Sequence, residues 1–300
     1  MIKARRGAPF FFLHLPAMLA RLARLLHARS RQRKLRRYAI DDALWQQTVS
    51  ALPFLQRYGA EDLAALRELA TLFIADKEYS TAHELVLTDE MVVSVAAQAC
   101  VPILRLGLQW YRGWHGIVLY PGEFIIRRTV EDEIGLVHGV VEEASGEAWE
   151  HGPVILSWPD ASLPGAGLDA AADHPDDTYN VVIHEFAHKL DMLDGEADGV
   201  PPFSRALHAG VQRSQWARTF DAEYQRFADA CDAVPDSVWD EPDRLPAPVR
   251  VIDPYGAEAP GEFFAVASEA FFVEPAGLSR HWPVLYGLLS TFYRQDPASM

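Results

Sequence analysis

Apolar residues recur three and four positions apart in the first part of the chain after residue 40. Leu44, Trp45, Val49, Leu52 and Leu55 form one such series, and after Ala60-Glu-Asp-Leu63 a second runs through Leu66, Leu69, Leu72 and Phe73. This periodicity predicts helical structure from Asp41 to Tyr79, with acids in the first turn of the second run. Met91 to Leu108 is apolar on nearly every side, the mark of a buried helix, and Pro102 interrupts it. After Gly113 the runs shorten. Gly116–Tyr120, Phe124–Ile126 and Pro153–Trp158 are β-type segments bounded by Gly and Pro, with an acidic stretch from Glu131 to Glu150 between the second and third. Residues 160–178 read as an Asp-, Gly- and Pro-rich loop. A long helix is predicted from about Asp177 to Leu193, with Gly195 just beyond its end. Then come a loop over 195–215, a helix over Gln215–Val234, a Pro-rich loop over 235–261 and an apolar helix over Glu262–Val273. Helices, then strands, then helices predict an α+β domain with a helical N-terminal part.

Composition adds two exclusions and one asymmetry. The 300 residues are 49% hydrophobic and 23% charged, which is ordinary for a globular chain. Cys100 and Cys231 lack CxxC spacing, so a thiolate zinc knuckle is excluded. No apolar run reaches the ~20 residues that span a bilayer. The net charge of −15 is uneven: residues 1–40 carry 11 of the 27 basic residues and none of the 42 acids, leaving 41–300 at −26. The sequence thus divides into a basic N-terminal arm, 1–40, and one acidic domain, 41–300. The domain has a helical part over about 41–112 and a catalytic part over about 113–297. In the arm, Leu19, Leu22, Leu25 and Leu26 recur at helical spacing beside Arg21, Arg24 and Arg31, which suits contact with a membrane surface or an acidic partner. A signal peptide fits less well, since no small-residue cleavage site follows the apolar stretch. Direct nucleic-acid binding is not expected of so acidic a chain.

The candidate chemistry lies in His184-Glu-Phe-Ala-His188. On a helix, residues i and i+4 share a face one turn apart, so both imidazoles reach one metal ion. Glu185 then stands beside that ion, where a carboxylate takes a proton from water. Five residues are a short pattern, but Tyr179–Ile183 runs apolar into it and the helix continues through Leu193 without a breaker. Ionisable groups on such a buried helix are costly without a role. A catalytic site wants a third protein ligand. Asp194, His208 and Glu262 are the candidates, the last accompanied by Glu269 two turns on, and spacing alone does not choose between the two glutamates.

Val182-Ile-His-Glu-Phe-Ala-His-Lys-Leu-Asp191, Gly199-Val-Pro201 and Asp253-Pro-Tyr-Gly-Ala-Glu-Ala-Pro-Gly-Glu-Phe-Phe-Ala-Val-Ala-Ser-Glu269 resemble the Mlc titration factor A family of peptidases. So do Ala97–Pro102, Val118–Pro121, Ile134–His138, Gly152–Trp158 and Phe292–Pro297, which extends the likeness over roughly residues 45–297. The resemblance implies a zincin-like fold with a small mixed sheet, of the glutamate-zincin type, whose catalytic region is similar to that of anthrax lethal factor. It implies a cytoplasmic peptidase with one zinc ion per chain. His184, His188 and Glu262 match the family's metal ligands, Glu185 its general base, and Tyr255 the tyrosine that faces the oxyanion. Gly256 stands where relatives often carry Ala, and 215–252 differs in length and content.

The expected reaction is hydrolysis of peptide bonds on peptide or protein substrates, and the resemblance implies an aminopeptidase-like mode. Asp191 and Glu269 are candidates to orient a histidine, and Pro153–Trp158 is a candidate edge strand for substrate. The alternative is a non-catalytic protein that titrates a Mlc-like transcriptional repressor of sugar uptake.

Overall fold

A computed structural model describes residues 15–131, 137–162, 178–239, 241 and 244–300. The chain divides between Ala39 and Ile40 into two compact units. The described part of the first is one helix, α1 (Leu15–Arg37), with Leu25 and Leu26 exposed. The stretch on which a signal peptide would depend begins outside the described residues. Among the described residues no helix is long and apolar enough to cross a membrane.

The second unit is α+β, as the order of patterns predicts. It opens with α2 (Asp42–Ala51), whose N-cap Asp41 accepts from the Ala43 and Leu44 amides, and α3 (Ala60–Ile74). The predicted helical stretch ends early, because Glu78–Thr81 forms strand β1. Four residues following a long helical run are too few to show a period of two. Helix α4 (Asp89–Cys100) stops just before Pro102, which has no amide hydrogen to continue the ladder, although Val101 still has helical dihedrals.

Strands β2 (Gly116–Tyr120), β3 (Phe124–Glu131), β4 (Val137–Ala144), β5 (Gly146–Ala148) and β6 (Val154–Ser157) follow. The acidic stretch between the second and third expected strands thus supplies β4 and β5. β3 and β4 form a separate antiparallel pair. The main sheet has the order β1-β2-β6-β5, parallel except for β5, and is therefore mixed. Pro153–Trp158 is consequently not the edge strand. Val154, Leu156 and Ser157 are all buried, as in a strand paired on both sides, and β5 is the edge instead.

After α5 (Trp158–Ala161), the described chain resumes at 178, and the expected 160–178 loop falls mostly outside it. α6 (Val181–Asp191) is shorter at its start than predicted, because the Asn180 side chain caps it by accepting from the Ile183 amide at 2.9 Å. Next comes α7 (Arg213–Asp232), and the expected Pro-rich loop contains two single turns, α8 (Asp236–Trp239) and α9 (Ala247–Arg250). α10 (Pro260–Val273), α11 (Pro275–His281) and α12 (Pro283–Tyr293) complete the chain.

The core fixes α6 against its neighbours. Phe186, between the two motif histidines, is fully buried, with ring centroids of Tyr111, Phe73 and Trp114 at 5.1, 5.6 and 5.7 Å. Burying such a ring contributes about 1.5–3 kcal/mol, which locks the rotation of α6 and so the direction of its histidines. Phe263 performs the same service for α10 by stacking on Phe227 at 5.1 Å.

Candidate metal centre

One face of α6 carries His184 and His188, and the first turn of α10 carries Glu262. The two helices pack directly on one another. Gly261 lets the start of α10 sit close against the loop that follows α6, because a Cβ at that position would strike the Ala197 carbonyl. The His184 and His188 Nε2 atoms lie 3.1 Å apart, and each is 3.2 Å from Glu262 Oε2. Two ring nitrogens and one carboxylate oxygen thus form a nearly equilateral triangle. Ligand atoms of a tetrahedral zinc ion, at bonds of about 2.05 Å, stand roughly 3.3 Å from each other. The donor set and its spacing therefore fit such an ion, and three protein ligands leave a fourth position open.

The surroundings complete this reading. Glu269 is buried one further layer in. Its Oε1 accepts from His184 Nδ1 at 2.8 Å, and its Oε2 accepts from the Asn180 backbone amide. One carboxylate therefore ties the start of α6 to the orientation of the first histidine, leaving Nε2 to face the triangle. Burial pushes the Glu269 carboxyl up to about 7 against the pull of His184. Burial alone would lower the His184 pKa, but the carboxylates of Glu262 and Glu269 outweigh it and hold the ring well above its ordinary value. Glu262 is opposite in sense: burial opposes its charge, and the two histidines overcome that and hold it far below the usual carboxylate range.

Glu185 is 5% exposed and lies against the face of β5 that meets α6, where a Cβ on Gly146 would collide with it and with Val181. Burial raises its pKa, the direction that suits a group that must take up a proton. Tyr255 sits in a single turn of 3-10 helix (Pro254–Ala257) set by Asp253, which accepts the Tyr255 amide at 2.9 Å. Its ring is half-exposed, 6.2 Å from the His184 ring. All five residues line one cleft of about 540 Å³, together with Gly146, Glu147 and Ala197.

The other candidates are engaged elsewhere. Asp194 pairs with Arg213 at 2.6 Å. His208 is a core histidine, accepting the Ser204 amide at Nδ1 and meeting the Phe292 carbonyl at Nε2 (2.9 Å), with burial lowering its pKa. Asp191, expected to orient a histidine, turns instead to a loop, where Oδ2 accepts the Gly199 amide at 2.7 Å. Sequence reasoning passed over Gly146 and Asn180. The capping position of Asn180 before an apolar helix was a readable signal; Gly146 offered none.

A His-x-x-x-His helix joined by a distal glutamate, with an intervening carboxylate beside the cluster, defines the class as metallopeptidase-like. The family model described as glucose-regulated metallo-peptidase M90 matches residues 26–294, and the chain belongs to that family. It is similar to Mlc titration factor A of Salmonella arizonae, 34% identical over 258 residues that cover 86% of this chain and 92% of the relative. The Klebsiella pneumoniae protein of that name is 34% identical over 254 residues, covering 84% and 86% of the two chains. That of Salmonella typhi is 35% identical over 259 residues, covering 86% of each.

Proposed function

We propose that this chain is a zinc-dependent peptidase acting on peptides or proteins in an aminopeptidase-like mode. The observation that carries the proposal is the convergence of His184 Nε2, His188 Nε2 and Glu262 Oε2 on one point within hydrogen-bond distance of each other. A zinc ion held there would supply Lewis-acid chemistry, acidifying water and polarising a peptide carbonyl. Glu185, buried beside the cluster, takes the proton from the attacking water and passes it to the leaving amine. Tyr255 presents its phenol to the cleft and donates a hydrogen bond to the oxyanion that develops on the carbonyl. Glu269 keeps His184 in the tautomer that leaves Nε2 for the metal. The free edge of β5 offers backbone groups along which an extended substrate aligns.

Metal analysis and hydrolysis assays test this reading. Wild type is expected to hold one zinc per chain and Glu262→Ala to lose it. Glu185→Gln is expected to keep its zinc while hydrolysis falls by roughly 10²–10⁴. Unchanged zinc in Glu262→Ala, or hydrolysis persisting in zinc-loaded Glu185→Gln, would overturn it.

The name shared by the relatives supports a second role, binding of a Mlc-like transcriptional repressor. Co-purification with Glu185→Gln as bait separates that role from catalysis, since this change leaves the surface intact. In the same reading the chain works in the cytoplasm, residues 41–300 form the peptidase domain, and the basic arm over 1–40 contacts an anionic surface.

A further inference from the structure

A second groove, of about 740 Å³, lies on the outer face of the main sheet. Tyr120, Phe124, Trp149 and Ile155 wall it, and Glu123 and Glu147 supply carboxylates. Glu147 lines the metal cleft as well, so the two spaces meet across β5. We propose that this groove binds the side chain of a lysine or arginine in the peptide substrate, a proposal that rests on the peptidase reading above.

Strand geometry places the groove at the right position. In β5, Gly146 pairs with Leu156 and Glu147 with Ile155. Gly146 faces α6, where its missing Cβ makes room for Glu185 and Val181. Its neighbour Glu147 therefore faces the opposite side, over the groove. Among the described residues the other edge of β5 is unpaired. A peptide extended along that edge alternates in the same way, one side chain toward α6 and the ligand cluster and the next over Glu147.

The lining selects the occupant. Aromatic faces accept the aliphatic stem of a long side chain and attract a cation through the ring quadrupole. Two carboxylates on the same walls match a positive head group and would face an apolar one unpaired. Trp149 is prepared for this contact. The residue is 53% exposed, yet its backbone is fixed on both sides. The amide donates to the Pro153 carbonyl at 3.2 Å, and the carbonyl accepts from the Gly152 amide and from the buried ammonium of Lys189, the residue after His188. The same helix that carries the histidines thus holds the exposed indole in place. Tyr120 packs on Phe124 at 4.9 Å between centroids, which steadies the opposite wall.

The test measures binding and hydrolysis separately. Dye-labelled, N-acetylated hexapeptides that differ at one position, arginine against norleucine, are titrated into zinc-loaded Glu185→Gln protein, and anisotropy is read. Acetylation removes the terminal amine as a competing cation. At one position arginine is expected to bind about tenfold tighter than norleucine. Adding Glu123→Gln and Glu147→Gln should bring the ratio to within about twofold, and Glu123→Gln alone should give an intermediate ratio. Zinc content and circular dichroism confirm that each variant is folded. Equal affinities for the two peptides in the protein with both glutamates, or a preference that survives their removal, would overturn the proposal. Arginine preference in binding, with no hydrolysis by wild type of the same peptides carrying a free amino terminus, would overturn the peptidase reading and leave the groove standing. Hydrolysis with no preference would do the reverse.

Discussion

Asp191 is fully buried in the last turn of α6, and only one of its oxygens is satisfied. Oδ2 accepts the Gly199 amide, while Oδ1 has no hydrogen-bond partner. Burial, reinforced by Asp198 and Asp194, pushes its pKa from 3.8 to about 8. A carboxyl raised in the folded state gives full stability below its unfolded pKa and loses it as pH climbs toward the folded value. The window is therefore about pH 4 to 8. Between about pH 5.5 and pH 8 this residue alone should cost about 3 kcal/mol. Asp191→Asn keeps an acceptor for Gly199 and removes the charge. Its amide would replace the unpartnered oxygen with an unpartnered donor, a penalty of about 1–3 kcal/mol that is the same at every pH. Urea unfolding of both proteins across this range, with zinc saturating, isolates the difference in slope. The variant should gain on wild type steadily with pH, by about 3 kcal/mol at the upper end relative to the lower. Parallel stability curves would show that Asp191 is charged in the fold and refute the argument.

Glu269→Gln preserves the size of the group beside His184 but withdraws its charge. Zinc affinity, measured by competition with a chelator, should fall by about 10–100-fold, and unchanged affinity would remove Glu269 from the centre. Gly146→Ala places a methyl group against Glu185 and Val181, forcing β5 away from α6. The expected result is a loss of about 10²-fold in kcat/KM with zinc content intact, and full activity would mean that the edge of β5 does not position substrate.

The local part of the site was legible because its geometry is local. Two histidines four apart on an unbroken apolar helix must share a face, and α6 places them so. The third member of the cluster was not legible from spacing. Glu262 lies 74 residues beyond His188 and arrives through the packing of α10 on α6, with Gly261 fitting closely against Ala197 in the loop after α6. Asp191 carried the same kind of sequence signal as Glu269, yet only Glu269 reaches a histidine; the direction of each side chain depends on tertiary packing. The helices α4, α6, α7 and α10 followed from periodicity, with ends displaced by caps and prolines. Strands β1, β4 and β5 did not: β1 follows a long helical run, and β4 and β5 lie in an acidic stretch without a long apolar run. The apolar run at Pro153–Trp158 suggested an edge, but a strand apolar on both faces is better suited to the interior of a sheet.

The brevity of β5 has a bearing on solubility. An open strand edge is a template for any extended chain, another copy of the protein included, and long flat edges seed aggregation. Among the described residues the free edge is three residues long, carries Glu147 at its centre, and is closed off by the turn that the Lys189 ammonium fastens to α6. A short segment of peptide finds enough backbone to align; two sheets meeting edge to edge do not. An edge proposed to align substrate is thus too short to template pairing between two copies of the protein.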